Sequence, residues 1–374
     1  MRPALLDEGA FDELAKGSGE GLVSILIPTH DKGPEVAQDR IRLKNAITAV
    51  DDLMSGAGWR RTDREARLTK ARALLADDEF WQHQGTGLAV FIDATGAVSP
   101  VALGGSVETL IAVCDRFHLR HLIPELAQEP LDALVLTKGS LALFSVDVHG
   151  ARQVEADLPA SMDDVNWFMD YEMPELQRHA DRRGSAGVQH GHDPTDRSHE
   201  DLSRFLRAVA DSIPQEGGPL VVLGDDPVIA DFRRVSRREV IALTLDGTDR
   251  ADTPPAVHRA VHRVIEQRFV DLLSNNNESG EQALGTADTV TLFPDLLTAA
   301  ATGRLARVYL RRGAEPLWGR FDPATFESSA GAEPGVGAVD LLDRMAVLAR
   351  ETGAEVLPTD GPIDGHDVVG VKRF

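Results

Sequence analysis

The sequence predicts a mixed α/β protein of three domains. Short apolar runs alternate with stretches whose apolar residues recur at helical spacing, from Leu22 to the C-terminus. At 374 residues the chain exceeds one ordinary domain, and two polar, turn-rich stretches offer places to divide it. Hydrophobic residues reach 42% but aromatics only 5%, so each core must be built mainly of Val, Leu, Ile and Ala.

The first domain, 1–128, opens with an apolar strand over 22–27 that Pro28 closes. A turn-rich stretch, Thr29-His30-Asp31-Lys32-Gly33-Pro34, leads to a helix with Leu43, Ile47, Val50 and Met54 on one face. A second strand over 88–93 ends in the turn Ala94-Thr95-Gly96. The polar, proline-flanked stretch from Pro124 to Pro130 marks the first boundary.

The second domain, 129–273, begins with runs over 133–136 and 141–146, split by Lys138-Gly139-Ser140 as in a hairpin. His149-Gly150 then turns into a third antiparallel strand over 152–154. From about Asn166 to Arg197 the apolar pattern fades, which predicts a long exposed loop. Leu202, Phe205, Leu206, Val209 and Ile213 restore helical spacing. A continuous apolar run over 220–223 predicts a buried strand. Gly224-Asp225-Asp226-Pro227 turns from it into another helix. Thr253 precedes a helix opened by Pro254, with Val257, Val261, Val264, Ile265 and Phe269 as its buried face.

The third domain, 274–374, starts at Ser274-Asn275-Asn276-Asn277-Glu278-Ser279-Gly280, a polar run with the composition of a linker. Helix and strand then alternate: a helix near 297–302, a strand over 306–310, a helix over 339–350 stopped at Gly353, and strands over 354–357 and 368–371. The pattern is that of a small α/β sandwich.

Composition removes several classes of function. The single Cys114 excludes intrachain disulfides and thiolate zinc clusters and reads as a small buried hydrophobe. No run approaches the roughly 20 apolar residues of a membrane span, and the N-terminus turns acidic at Asp7-Glu8, so a cytoplasmic location without membrane contact is expected. A net charge of −21 repels bulk nucleic acid. RNA contact would need local cationic patches, for which 60–72, 233–238 and 304–312 are candidates. Neither a Gly-rich dinucleotide fingerprint nor a phosphate-binding P-loop occurs, and no cofactor is implied. Leu223-Gly224-Asp225-Asp226 reads as a plain strand-to-helix turn.

The richest stretch chemically is Arg182-Arg183-Gly184-Ser185-Ala186-Gly187-Val188-Gln189-His190-Gly191. Its glycines permit φ > 0 and close backbone approach to another molecule. Arg178, Arg182, Arg183 and Arg197 make it locally cationic, so RNA-binding roles fall to Arg182, Arg183 and Arg197. A different reading gathers His190 and His192 with Asp193 or His199 around a metal ion, as in a metal-dependent hydrolase.

In order of parts, a hairpin, a basic loop ending in Gly187-Val188-Gln189, a helix with Phe205-Leu206-Arg207 and the strand 220–224 follow one another. This order resembles the middle, RNase H-like domain of archaeal and eukaryotic class-one peptide release factors and of Pelota. The last third resembles their third domain, through the segments at 285–288, 296–303, 307–310 and 339–357 and the closing strand. Ile27-Pro28-Thr29-His30, Gly33-Pro34-Glu35, Gln38-Asp39 and Ile41-Arg42-Leu43-Lys44-Asn45 resemble the bacterial archaeo-eukaryotic-release-factor-like branch.

The resemblance implies an RNase H-like central domain, the ribosome and tRNA as partners with a translation GTPase as a further one, and a role in rescue, hibernation or quality control. It assigns Gly187 to the first glycine of a catalytic Gly-Gly-Gln tripeptide and Gln189 to its glutamine. In the family that glutamine helps water attack the peptidyl-tRNA ester. An amide and a backbone N–H can orient water and stabilise an oxyanion without titrating. Val188 stands where the family has glycine, and a β-branched residue tolerates φ > 0 poorly. Two outcomes therefore stay open: Gln189-dependent hydrolysis, or occupation of the site without chemistry. No codon-reading motif of the family is present in the first domain, and the sequence does not fix an oligomeric state.

Overall fold

The computed structural model describes residues 3–30, 35–82, 84–105, 107–137, 140–159, 194–245, 253–286, 288–322, 324–331 and 336–373. The chain divides into two compact units, Met1–Glu129 together with Gln267–Phe374, and Pro130–Glu266. The fold is mixed α/β, with a separate sheet in each third of the sequence. The division into three domains at 128/129 and 273/274 is a proposal that rests on those sheets.

In the N-terminal part, β1 (Ala4–Leu5), α1 (Glu8–Lys16), β2 (Leu22–Pro28), α2 (Val36–Gly56), α3 (Arg61–Ala73) and α4 (Asp78–Trp81) are followed by β3 (Gly87–Ile92), β4 (Val98–Leu103), β5 (Leu110–Cys114) and α5 (Ile123–Leu126). The sheet runs β1-β4-β3-β2-β5, with β2 antiparallel to both β3 and β5. Alternate residues of β2 face opposite ways. Val23, Ile25 and Ile27 meet Leu43, Ile47, Val50 and Met54 of α2. Leu22 and Leu26 face a second core that also holds Phe11 and Leu14. Both faces are covered, which is why the strand reads as one apolar run.

The central unit contains β6 (Leu131–Thr137), β7 (Ser140–Val146), β8 (Ala151–Val154), α6 (Pro194–Ser212), β9 (Leu220–Gly224), α7 (Asp226–Val235), β10 (Val240–Thr244) and the first part of α8 (Pro254–Leu284). The order is β10-β9-β6-β7-β8. The hairpin and third strand are antiparallel, while β9 and β10 run parallel to β6. An antiparallel three-strand meander extended by two parallel strands is the expected RNase H-like sheet. Val257, Val261 and Ile265 of α8 cover one face. Leu206, Val209 and Ile213 of α6, with Ile229 and Phe232 of α7, cover the other.

The C-terminal part adds β11 (Thr289–Val290), α9 (Phe293–Ala301), β12 (Leu305–Arg311), β13 (Trp318–Phe321), β14 (Ser328–Ala330), β15 (Val339–Asp340), α10 (Leu341–Glu351), β16 (Glu355–Thr359) and β17 (Val368–Lys372). Its main sheet runs β11-β17-β12-β16, and β14-β13-β15 form a small second sheet. Gly353, at φ +80, ends α10 as expected. Leu296, Leu342 and Met345 join Leu119 and Leu122 in the same core as Phe11 and Leu26, so the first and last thirds share one interior.

Two expectations are corrected. The exposed loop does not extend to Arg197, because α6 begins at Pro194. Proline suits the first helical position, and the opening turns carry no apolar residue until Leu202, so the periodicity is silent there. The run 274–280 is no linker either, but lies inside the 31-residue α8. Leu273, Asn276 and Gly280 are buried at helical spacing. Asn276 Nδ2 donates to the Pro358 carbonyl at 2.9 Å, and the Ser279 hydroxyl lies 2.7 Å from that of Tyr309. A Cβ on Gly280 would come within 2.2 Å of the Ile363 side-chain tip, so a larger residue here would force Ile363 to move.

Candidate functional site

Gly187, Gln189, Arg182 and Arg183 lie outside the described residues, as do His190, His192 and Asp193. Arg197 and His199 fall in α6 by backbone. The framework that bears this segment is described at both ends. β8 pairs with β7 at the sheet edge, Leu143 opposite Val154. Beyond it, Ala156 and Leu158 pack against the cluster formed by Leu134, Leu143, Leu206 and Val209. Leu202 and Phe205, early in α6, pack against the same cluster. Residues 156–158 and the start of α6 therefore pack on the same face of the central sheet.

The cationic patches proposed from sequence are largely engaged within the protein. Arg61 pairs with Glu65 at 2.6 Å, Arg64 with Asp51 at 2.8 Å, and Arg67 donates to the Gly21 carbonyl at 2.6 Å. Arg238, buried, binds Asp132 at 2.6 Å and the Gly218 carbonyl. Arg311 and Arg312 pair with Asp367 and Asp360 at 2.6 and 3.0 Å. Exposed pairs of this kind contribute little stability. They nonetheless leave these arginines with less charge to offer a polyanion.

The Gly224-Asp225-Asp226 turn is structural. A Cβ on Gly224 would come within 2.3 Å of the Leu136 carbonyl, and Asp226 accepts from the Thr244 hydroxyl. Cys114 is buried, its thiol directed at the Ala338 carbonyl at 2.8 Å. Burial, and then the nearby carboxylates, push that thiol up to about 12, which leaves no thiolate for nucleophilic work. Among the described residues no group of His, Cys, Asp and Glu is placed to hold a metal ion. No described helix is long and apolar enough to cross a membrane.

Two polar clusters went unread as such in the sequence. In the first, Asp39 on α2 is fully buried and ties down the end of β2. Its carboxylate accepts from the His30 backbone N–H at 2.8 Å, lies 3.0 Å from His30 Nδ1, and takes Arg42 Nη1 at 2.5 Å. These residues stand inside the motifs around Thr29-His30 and Gln38-Asp39, so the signal was present, but spacing alone does not show which side chains meet. The second cluster joins the first and last thirds. Arg120 Nε donates to Asp340 at 2.8 Å, and its Nη2 to the Ala314 carbonyl at 2.7 Å. Asp343 accepts the backbone N–H groups of Leu119 and Arg120, each at 2.6 Å. His118 stacks on His121 with ring centroids 5.1 Å apart.

Residues 133–304 match the sequence model of Bacterial archaeo-eukaryotic release factor family 3. Over this central stretch the chain is similar to the bacterial archaeo-eukaryotic release factor-like family. The release factor-like match runs from the β6–β7 hairpin through the stretch bearing Gly187 and Gln189, and reaches Arg304 ahead of β12. Among solved structures, an archaeal translation termination factor, aRF1, aligns over 98% of this chain and 96% of its own, at 13% identity and a TM-score of 0.24. Archaeal Pelota, in a model of ribosome-bound Pelota and ABCE1, aligns over 80% of this chain and 74% of its own, at 10% identity and a TM-score of 0.35. S. cerevisiae Dom34, described as a translation termination-like factor interacting with Hbs1, aligns over 78% and 75%, at 9% identity and a TM-score of 0.29. No curated protein matches at a significant level.

Proposed function

We propose that this protein is a cytoplasmic, ribosome-associated translation factor of the release-factor and Pelota type, acting in ribosome rescue or quality control. The observation that carries the reading is the family match over 133–304, which encloses Gly187-Val188-Gln189 within an RNase H-like frame. In this reading Gln189 enters the peptidyl-transferase centre, Gly187 allows its turn, and Arg182, Arg183 and Arg197 meet RNA backbone. The amide orients water against the peptidyl-tRNA ester and steadies the oxyanion that forms. Ribosome and tRNA are the direct partners, and a translation GTPase is the delivering one.

The test is single-round release of peptide from ribosomes carrying peptidyl-tRNA. Release by the wild type should fall by about 10²-fold or more in Gln189→Ala, the scale on which losing one oxyanion-type donor acts. Val188 favours a second reading, since its side chain opposes the positive φ and close approach that glycine allows. There the segment occupies the site without chemistry, as in a hibernation factor. No release, with wild type and Gln189→Ala co-sedimenting equally with ribosomes, would select that reading; failure to co-sediment at low salt would remove both.

A further inference from the structure

We infer that His30 and Arg42, held side by side by the buried Asp39, form an oxyanion site for a phosphodiester of RNA. The RNA partner rests on the translation reading above; the anion chemistry rests on the geometry alone. Burying a carboxylate costs free energy unless it is paired and hydrogen-bonded. Asp39 is 0% exposed, and a neutral hydroxyl or amide would suffice to accept the His30 backbone N–H. The charge is explained by what it holds.

One carboxylate oxygen, Oδ1, receives both His30 Nδ1 at 3.0 Å and Arg42 Nη1 at 2.5 Å. The two side chains are thereby fixed beside each other while each remains 35% exposed. Nδ1–H directed at the carboxylate leaves Nε2 as the outward atom of the imidazole. Arg42 commits one nitrogen to Asp39, and its other N–H groups have no protein partner among the described residues. A guanidinium edge beside the Nε2–H of an imidazolium matches the paired oxygens of a phosphate, since both then present donors to them.

Glu35 is the opposing charge, 3.9 Å from His30 Nε2, but it is 64% exposed and can turn away. Arg40 is occupied by Asp78 at 2.6 Å and by the Trp81 ring. Gln38 and Asn45 fall on the helical stripe of Arg42, four positions before and three after it, so polar positions continue the site along α2. With the chain at −21 overall, a pinned local pair is how such a surface can take one phosphate without binding nucleic acid in bulk.

The test measures binding of a short fluorescein-labelled single-stranded RNA to the full-length protein by anisotropy across a salt series. Variants are Arg42→Gln, His30→Gln and Glu35→Gln, each required to melt with the wild type. Arg42→Gln and His30→Gln should each bind about tenfold more weakly. Arg42→Gln should also lower the logarithmic salt slope by about 1. Glu35→Gln should bind more tightly. Unchanged affinity in both Arg42→Gln and His30→Gln overturns the site, and so does competition by poly-glutamate as effective as that by unlabelled RNA. Ribosome co-sedimentation separates the two claims. Wild type that pellets with ribosomes while neither variant changes RNA affinity defeats the site alone. Wild type that stays out of the pellet, with RNA affinity still dependent on Arg42, defeats the translation reading alone.

Discussion

Asp343 and His118 sit in the joint between Arg120 and Asp340, and burial displaces them in opposite ways. Burial, then the Asp340 charge, pushes the Asp343 carboxyl up to about 7. Burial brings His118 down to about 4 and His121 to about 2. A raised carboxyl contributes stability that is present at low pH and is lost as pH rises through its folded value. A depressed histidine contributes stability that is present above its unfolded value of about 6.5 and is lost as pH falls. Between about 4 and 6.5 Asp343 offsets one histidine, and the second tips the balance. Thermal midpoints should therefore rise with pH across that window, fall slightly between about 6.5 and 7, where Asp343 alone contributes, and level off above. Asp343→Asn keeps an amide oxygen that can accept the Leu119 and Arg120 N–H groups. It should steepen the rise and abolish the small fall; a profile identical to wild type between about pH 4 and 7 would contradict this account.

At the scale of elements, α8 is the most instructive. Its polar middle was expected to be a linker and proved to be a helix face. Asn276 is buried and bonds the Pro358 carbonyl across to β16. Asn276→Ala leaves that buried carbonyl unpaired and should cost about 1–3 kcal/mol in a urea titration, despite the better helix propensity of alanine. An unchanged midpoint would mean that the polar face is solvated after all. The strands were easier. β2, β6 and β9 are covered on both faces, so their sequences are nearly unbroken apolar runs, and β-structure was legible without knowing their partners.

On the scale of the molecule, the N- and C-terminal thirds share an interior. Leu119 and Leu122 pack in one core with Leu296, Leu342 and Met345, and Arg120 closes the polar side on Asp340. Fragments 1–129 and 267–374, produced together as separate chains, should co-purify and protect Cys114 from alkylation. Neither should be soluble alone, because each leaves part of this core facing water. Independent folding of both, without association, would argue for two self-sufficient domains.

What the sequence determined by itself was local: element types, the hairpin, the stops at glycines and the family resemblance, because these depend on periodicity, turn chemistry and the order of parts. It also marked the glycine- and arginine-rich stretch that bears Gly187 and Gln189, whose roles are what the resemblance implies. Tertiary structure decided which residues meet. The anchoring of α6 beside Leu158, the seating of an asparagine-rich helix face on a sheet, the pairing of His30 with Arg42 through Asp39, and the joint at Arg120 are contacts between distant positions. A buried charge and a solvated one look alike in a sequence. Only packing takes the water away and gives the charge its partner.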